Sequence, residues 1–503
     1  MKYRQPLRPK LIKRVLAFLT IPLLLLSLSF YTEPAQAKIT PKHYTDLTFA
    51  DLPEIKIPEY QRLELENGLV VYLMEDHELP LVSGRLLVRT GERLEPSEQT
   101  GLADIVGEVM RTGGTKKYDS DTLNQILEQR AASVEVGISN ASGTASFSAL
   151  SEDLEEVFGL FSEVLRQPAF AQEKLDLAKT QRKGGIARRN DDPNAIGSRE
   201  FRKLVYGDTS PYARTQEYRT LANIKQDDLV QFYRSYFHPN CMILGIVGDF
   251  DSQAMTALIK AKLGTWPMKQ GAVAAAPPDA AQVETGGLFL VDQPQLTQST
   301  VQIGHLGGRL DDPDIFALFV MNEALNSFGG RLFNEVRTRQ GLAYSVYAVW
   351  SARYDFPGLF VSGGQTRSET TAAFIKAVKT ELEKVREAPL TDKEIQRAKD
   401  AILNSFVFNF DDPSDTLSRL MRYEYYGYPE DYIFQYQNAV KEMTAAKVHA
   451  AAKRHLQPEN LVTIVVGNAQ KLQTDLESLG QTITPVDVTI PPPVLLESSG
   501  ANS

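Results

Sequence analysis

The chain repeats itself once along its length, and this repeat constrains the fold more than any other feature of the sequence. Three pairs of segments recur in the same order at offsets of 216 to 220 residues. GERLEP from Gly91 matches GGRLDD at Gly307, PAFAQEKLDLAK matches PLTDKEIQRAK, and FHPNCMILGIVGD matches HLQPENLVTIVVGN. Three ordered pairs separated by short insertions predict two domains that arose by internal duplication.

Each half alternates patterns typical of strands and helices. In the first half, LENGLVVYLMED and SGRLLVRTGER have strand character, whereas EDLEEVFGLFSEVLRQ has apolar residues at helical spacing. The second half repeats this with GLFLVDQ, STVQIGHLGG and FALFVMNEALNSFGG. We therefore predict an α+β fold of two homologous domains, each with helices packed on one face of a sheet.

Composition shifts suggest where these domains begin and end. We place the first domain at residues 57–267 and the second at residues 287–480. Between them, residues 268–286 are rich in Ala, Pro and Gly, which is typical of a linker. Residues 481–503 end in PPPVLLESSGANS and are expected to form a disordered tail.

The first 37 residues have the three regions of a secretory signal. A basic start is followed by VLAFLTIPLLLLSLSF and then by a small-residue cleavage site at Ala35-Gln36-Ala37. An uncleaved membrane anchor is the alternative, although this apolar run is short for a membrane span. The sequence thus predicts a secreted, periplasmic protein whose mature chain begins at Lys38.

Charge and cysteine content exclude some classes of function. The whole chain has a net charge of −9, and loss of the basic signal would take it to about −14. An acidic balance of this size argues against nucleic acid as a partner. Cys241 is the single cysteine, so no intramolecular disulfide can form, and its apolar surroundings favour a buried structural role.

Two motifs and several landmarks together resemble the M16 family of zinc peptidases, which includes pitrilysin, insulinase and mitochondrial processing peptidase. GLADIVGEVMRTGGT has the frame of the family's zinc helix, and GGRLFNEVRTRQGLAY matches its substrate-contact segment. RNDDPNAIG, SPYAR and DLVQFYRSYFHPN follow in family order, so the resemblance covers nearly the whole mature chain. It implies two similar domains in a clamshell, usually paired with a second two-domain subunit around a peptide chamber.

The resemblance also implies that the zinc chemistry has been lost. The family's helix carries His-x-x-Glu-His, with two imidazoles one turn apart on one face and a Glu that activates the zinc-bound water. In this sequence the two His positions are Asp104 and Glu108, and the Glu position is Gly107. The third ligand position, a Glu in the family, falls on Gly185. We expect no metal in this chain.

Other chemistries at these positions find less support. Asp104 and Glu108 could hold a hard cation such as Ca²⁺ or Mg²⁺, but the simpler interpretation is that they are polar replacements, because Gly185 offers no third ligand. The six histidines include no pair spaced for one metal, and no order typical of a Ser-His-Asp or Cys-His site is visible.

By the same resemblance, the substrate-contact residues are retained. Family members carry an Arg and a Tyr seven residues apart in the C-terminal domain, and these reach the peptide at the zinc site. Arg337 and Tyr344 reproduce that spacing. A permanent multi-donor cation and a neutral hydroxyl donor both suit a developing oxyanion. The alternative is that Arg337 is a solvated helix-end charge and Tyr344 a packed strand aromatic.

A third candidate is a strand at the place where family members add the bound peptide as an extra strand. Within ASVEVGISNASGTASFSAL, the exposed stretch would be Glu135, Val136, Gly137 and Ile138.

From this contrast between lost and retained residues, we expect a zinc-lacking subunit of a secreted M16-type heterodimer. Its partner would carry His-x-x-Glu-His and the zinc, while this chain would bind an unfolded peptide and supply Arg337 and Tyr344 in trans. A peptide-binding or scaffolding protein without a role in proteolysis is the alternative, and an autonomous peptidase of another mechanism comes third.

Overall fold

Two six-stranded sheets with equivalent strand orders form the framework of the described chain. The computed structural model describes residues 56–271, 276–326 and 328–493, all within one compact unit that spans Ile55–Ser503. The expected signal peptide, residues 1–37, lies outside the described residues. The strands are β1 (Gln61–Glu64), β2 (Val70–Glu75), β3 (Leu81–Val88), β4 (Ser133–Ile138), β5 (Gly143–Leu150), β6 (Met242–Gly248), β7 (Leu288–Asp292), β8 (Gln298–Leu306), β9 (Ala343–Ser351), β10 (Leu359–Arg367), β11 (Val462–Gly467) and β12 (Ile483–Pro485).

The strand orders show the duplication directly. The first sheet is ordered β1-β2-β6-β3-β5-β4 and the second β12-β7-β11-β8-β10-β9. In both, a parallel pair (β2 with β6, β7 with β11) adjoins antiparallel strands. The predicted fold class, two homologous sheet-plus-helix halves, is confirmed.

Eight described helices accompany the first sheet in sequence and seven accompany the second. In the first half they are α1 (Leu102–Thr112), α2 (Ser120–Gln129), α3 (Leu154–Arg166), α4 (Gln172–Ala187), α5 (Pro193–Tyr206), α6 (Tyr218–Asn223), α7 (Gln226–Tyr236) and α8 (Ser252–Leu263). In the second half they are α9 (Ile315–Asn326), α10 (Thr371–Glu387), α11 (Asp392–Ser405), α12 (Pro413–Tyr426), α13 (Tyr432–Lys441), α14 (Ala445–His455) and α15 (Ala469–Glu477).

The residue pattern of each strand explains its place in the sheet. β6 reads MILGIVG and is buried along its whole length between β2 and β3, as expected for an uninterrupted apolar run. β5 alternates instead, with Ala145, Phe147 and Ala149 buried and the intervening Thr and Ser residues partly exposed. Phe147 packs against Phe158 and Phe161 of α3, which closes the core of the first half.

The two halves exchange a helix across the faces opposite these cores. α5, from the first half, packs on the second sheet, where its Ile196, Phe201 and Val205 join one buried cluster with strand residues of β7 and β11. α12, from the second half, packs on the first sheet in a cluster that includes Leu417 and Met421. The halves are therefore interlocked, which the prediction of helices on one face of each sheet did not include.

α5 and α12 are themselves copies of one element. Each begins at the proline of an Asp-Asp-Pro sequence, in which Asp192 or Asp412 caps the first turn and the proline fits the first helical position. Each ends at a glycine with positive φ, Gly207 at 89° and Gly427 at 75°. This fourth repeated pair was visible in the sequence.

The expected linker is partly held by hydrogen bonds. Residues 272–275 lie outside the described residues, but the Val283 amide donates to the Val205 carbonyl at 2.9 Å. The Tyr212 hydroxyl donates to the Pro278 carbonyl at 2.7 Å, and the Gln282 side chain donates to the Asn460 carbonyl at 2.8 Å. The second part of this segment is thus docked on both halves, and the domain boundary stays a prediction.

The expected disordered tail needs a correction for residues 481–493. Ile483–Pro485 form strand β12, which pairs parallel to β7 and completes the second sheet. The Val486 amide then donates to the Leu290 carbonyl at 2.9 Å, and the Asn190 side chain donates to the Val488 carbonyl at 2.7 Å. The free edge of β7 offers backbone hydrogen-bonding groups to this segment, and the amino-acid composition of the segment gives no indication of them. Residues 494–503 lie outside the described residues.

Candidate functional site

Helix α1 places the degenerate zinc positions on its solvent-facing side. Ile105, Val106 and Val109 are buried in the core, so Asp104 and Glu108, one turn apart, point to the opposite side. The helix starts at Gly101, whose φ of 104° is left-handed. Its first amides, those of Gly101 and Ala103, donate to the carboxyl of Glu95 at 2.9 and 2.8 Å. Burial raises the pKa of Glu95 to about 7, against the opposing effect of these two hydrogen bonds.

A guanidinium group bridges the two carboxylates at the positions expected to match the family's histidines. Arg182 of α4 donates to Asp104 Oδ2 from Nε at 2.9 Å and from Nη2 at 2.7 Å, and to Glu108 Oε2 from Nη1 at 2.6 Å. The Arg182 side chain is 13% exposed. Burial acts against its charge, but Asp104 and Glu108 outweigh this effect and raise its pKa. An internal cation therefore joins α1 to α4 at the positions that the resemblance to the family assigns to zinc ligands.

The two glycine positions differ sharply in the space around them. A Cβ placed on Gly107 would lie 2.8 Å from the Ile138 nitrogen and 2.9 Å from the Gly137 Cα, both backbone atoms of β4. A Cβ on Gly185 would meet nothing within 4 Å. Gly107 thus allows α1 to lie directly against β4, and a glutamate at this position would have no room.

These residues do not fit a zinc ion. Zinc sites in proteins use His, Cys and carboxylate ligands at about 2.0–2.3 Å around an open centre. Here both carboxylates are already hydrogen-bonded to Arg182, and Gly107 and Gly185 supply no ligand atom. The alternative of a hard cation held by Asp104 and Glu108 meets the same obstacle, because the guanidinium already supplies the positive charge.

The candidate peptide-binding strand lies at an edge of the first sheet, but α1 packs beside it. β4 is paired on one side only, with β5. Arg111 Nε of α1 donates to the Val134 carbonyl at 2.5 Å, and Gly107 approaches Ile138 closely. Glu135, Val136, Gly137 and Ile138 are therefore at an edge that is partly covered by the helix.

Arg337 and Tyr344 stack at the start of the second sheet's edge strand, where Tyr344 is exposed and Arg337 is half-buried. Arg337 lies in a π-helix, Phe333–Arg339, and its Cζ is 4.8 Å from the centre of the Tyr344 ring and 4.6 Å from that of Phe333. Phe328 contacts Phe333 with ring centres 5.1 Å apart. Tyr344 is 83% exposed and Phe328 is 88% exposed.

Buried residues fix the π-helix to the core of the second half, so the stacked side chains stand on a rigid element. Leu332 and Val336 are fully buried in the core of the second half. Next to Tyr344, the pairing of β9 with β10 shifts register between Gly364 and Thr366, a β-bulge. π-helices and bulges recur at functional sites because they aim side chains away from regular positions. Tyr344 is accordingly exposed rather than packed in the strand as the alternative interpretation expected.

The Arg337–Tyr344 stack is not linked to the cluster of Asp104, Glu108 and Arg182 within the described residues. Among the described residues, no hydrogen bond, ion pair or ring contact links Arg337 or Tyr344 to Asp104, Glu108 or Arg182. Sequence reasoning missed Arg182 and Phe333. Both had a local signal, since Arg182 stands three residues before Gly185 on the same helix and Phe333 stands one turn before Arg337.

One further group could in principle hold a metal in the described part of the chain. Asp312, Asp314 and His455 bring their ligand atoms within 4.8 Å of one another. Arg454, however, donates to both carboxylate oxygens of Asp314, at 2.7 and 2.6 Å, and helps to lower its pKa. The Asp314 carboxylate is therefore already engaged by a guanidinium. Separately, no helix in the described residues is long and apolar enough to cross a membrane.

Comparison with known proteins agrees with this geometry. The family model described as Insulinase (Peptidase family M16) matches residues 70–203, and the model described as Peptidase M16 inactive domain matches residues 223–402. A Helicobacter pylori protein described as Non-peptidase homolog YmxG is 26% identical over 446 residues, which cover 84% of this chain and 95% of that protein. A Bacillus subtilis protein described as Uncharacterized zinc protease YmxG is 23% identical over 71% of this chain and 86% of that protein.

Solved structures show the same fold. The peptidase M16 inactive domain from Pseudomonas fluorescens has a TM-score of 0.72 at 25% identity, covering 82% of this chain and 98% of that one. The periplasmic protease PqqL from Escherichia coli has a TM-score of 0.69 at 17% identity, covering 88% of this chain and 50% of that one. With matching models in both halves, a full-length relative and a common fold, this chain belongs to the M16 peptidase family.

Proposed function

We propose that this protein is the zinc-lacking, non-catalytic subunit of a secreted, periplasmic M16-type metallopeptidase heterodimer. It binds a peptide substrate and supplies Arg337 and Tyr344 in trans to a partner subunit that carries His-x-x-Glu-His and the zinc ion. One observation carries the proposal. Within a single chain, Arg182 is paired with both Asp104 and Glu108, whereas the half-buried Arg337 side chain stacks on an exposed Tyr344.

The proposed division of labour follows from what each group can do. Asp104 and Glu108 are engaged by Arg182, and Gly107 leaves no general base on α1, so this chain alone lacks the means to activate water. Its H. pylori relative is described as a non-peptidase homolog, which supports the same conclusion here.

Arg337 and Tyr344 suit the contribution in trans. The Tyr344 hydroxyl can donate a hydrogen bond to the scissile carbonyl oxygen as negative charge develops on it. The Arg337 guanidinium, with several donors and a permanent charge, can bind neighbouring backbone carbonyls. Stacking between Phe333 and Tyr344 restrains Arg337 before substrate arrives, which lowers the entropy lost on binding.

The peptide would bind at the edge of the first sheet, and the protein would act in the periplasm. The edge formed by Glu135 to Ile138 would add a peptide as an extra strand through main-chain hydrogen bonds. The signal-like residues 1–37 and the periplasmic location of PqqL, a protein of the same fold, support export to the periplasm.

Reconstitution with a zinc-bearing M16 subunit of the same organism tests the proposal. We expect the mixture of the two subunits to cleave an unfolded peptide and each subunit alone to be inactive. Tyr344→Phe or Arg337→Ala should lower kcat of the mixture about 10²-fold. Thr338→Ala, in the same π-helix but without a stacking partner, is the matched control. Metal analysis of the isolated chain should find no bound zinc. Full turnover by both variants, with complex formation intact, would instead favour a peptide-binding scaffold without a role in proteolysis.

A further inference from the structure

A large cavity lies between the sheet faces opposite the two cores, and both halves line it. Its volume is 1060 Å³. β3 and β5 contribute from the first sheet and β8, β9 and β10 from the second, while the exchanged helices α5 and α12 form further walls. This volume exceeds what a single small ligand needs.

Four arginines in the cavity wall make no ion pair or side-chain hydrogen bond within the described part of the chain. Arg85 of β3, Arg202 of α5, Arg353 after β9 and Arg422 of α12 line the cavity with exposed side chains. None of the four makes an ion pair or a side-chain hydrogen bond with any described residue, although most other arginines in the described chain do. Arg202 and Arg422 occupy the same position in the two copies of the exchanged helix, ten residues after the capping Asp.

The acidic side chains that line the same cavity leave little free negative charge. Asp355 accepts a hydrogen bond from Arg93 at 2.7 Å, and Glu95 accepts the two first amides of α1. Glu92 lies close enough to Arg202 and Arg214 to interact with their charges, and burial raises its pKa. The cavity therefore carries an excess of positive charge in a protein whose net charge is −9. A local field opposite to that of the whole molecule favours a ligand of negative charge.

Aromatic rings complete the lining. Tyr354 and Tyr426 stack in parallel with centres 4.5 Å apart, and Tyr212 and Phe356 stack at 4.2 Å. Tyrosine side chains supply flat contact area and hydrogen bonds with few rotatable bonds, and arginine side chains add charge, a combination enriched at peptide and protein recognition sites.

We propose that this cavity binds acidic peptide segments, with Arg85, Arg202, Arg353 and Arg422 as the residues that select for charge. This inference rests on the proposed peptide-binding function and adds the class of substrate. Guanidinium groups are well suited to it because each can form two parallel hydrogen bonds to one carboxylate.

Fluorescence anisotropy with the full chain tests the inference. Three labelled unfolded peptides of equal length are compared: one is rich in Asp and Glu, one is neutral and one is rich in Lys. We expect the acidic peptide to bind at least about tenfold more tightly than the others, with an affinity that falls as salt rises. The double variant Arg202→Gln/Arg422→Gln should lose at least about tenfold in affinity for the acidic peptide only. Arg219→Gln/Arg234→Gln, which removes two exposed and unpartnered arginines outside the cavity, should leave it unchanged.

The outcomes separate the two proposals. Equal binding of all three peptides overturns the charge preference while leaving the peptide-binding function standing, whereas no binding of any peptide overturns both. An equal loss in the control double variant would show that surface charge in general is responsible, and overturns the inference. Complete competition by inorganic polyphosphate at equal charge concentration would show a general anion site rather than a peptide site, and also overturns it. Should the double variant fold poorly by thermal melting, Arg85→Gln, on a different element, gives the same comparison.

Discussion

Gly107 of α1 and Gly137 of β4 are in direct backbone contact, so close that a Cβ on Gly107 would lie 2.9 Å from the Gly137 Cα. By the resemblance to the family, Gly107 stands at the helix position of the glutamate that activates water. The loss of that glutamate is therefore more than a change of side chain, since the helix and the edge strand now occupy the space that it would need.

This contact predicts that the zinc motif cannot be rebuilt by substitution alone. Gly107→Ala should destabilise the protein by about 1–3 kcal/mol, because neither backbone can move without disturbing the core or the sheet. Gly185→Ala, in open space on α4, should be neutral or stabilising by up to about 1 kcal/mol, since alanine is the better helix former. Urea denaturation measures both. Equal effects of the two substitutions would contradict the proposed contact.

Arg182 should stabilise the junction of α1 and α4. Arg182→Ala leaves Asp104 and Glu108 facing each other without a counter-charge, and we expect a loss of about 1–2 kcal/mol, limited by the partial exposure of both carboxylates. Lys183→Ala, one residue along and exposed, is the control. Adding Asp104→Asn and Glu108→Gln to Arg182→Ala should recover most of the loss in urea denaturation. No recovery would mean that packing of the arginine stem, rather than charge, is responsible.

Glu95 should make stability depend on pH. Its pKa in the folded protein is about 7, above its ordinary 4.5, because burial disfavours the carboxylate. A raised acid pKa means that the folded state holds its proton more tightly, so stability is full below pH 4.5 and falls as pH rises through 7. Relative to Glu95→Gln, the native protein should lose about 1–3 kcal/mol between pH 5 and pH 8. Urea denaturation across this range, with the exposed Glu98→Gln as control, checks the sign. An opposite slope would contradict the burial argument.

Phe333 should position Arg337 for its proposed task. Phe333→Leu keeps apolar bulk but removes the ring over which the guanidinium lies, so Arg337 would sample more orientations. In the reconstituted heterodimer we expect kcat to fall about 3- to 10-fold with KM nearly unchanged, a cost of about 1 kcal/mol. Thermal stability should change little, because Phe333 is only partly buried. A change in KM alone would indicate a binding contact instead.

The helix exchange predicts that the halves stay together after the chain is cut between them. Limited proteolysis within residues 268–286 should give two fragments of about 25 kDa on a denaturing gel. In size-exclusion chromatography they should still elute as one particle, because α5 and α12 remain buried on the opposite half. Met421→Ala, which empties the contact against Gly245, should weaken this association. Separation of nicked native fragments without denaturant would contradict the interlocked arrangement.

The sequence by itself determined the duplication and the alternation of strands and helices, and its resemblance to the family implied the loss of the zinc ligands. These features depend on periodicity and on residue identity at a known spacing, and both are local properties of the chain. The resemblance also singled out Arg337 and Tyr344, whose spacing across a helix and strand survives intact.

Only the tertiary structure decided what fills the vacated site and how the halves are joined. Arg182 is distant in sequence from Asp104 and Glu108, and its ion pairs exist only because the core packs α4 beside α1. The exchange of α5 and α12, the backbone contact at Gly107 and the pairing of β12 with β7 likewise depend on free surfaces that two sheets present to each other. Such contacts join residues far apart in the chain, and the local sequence pattern of one element does not indicate which distant element will pack against it.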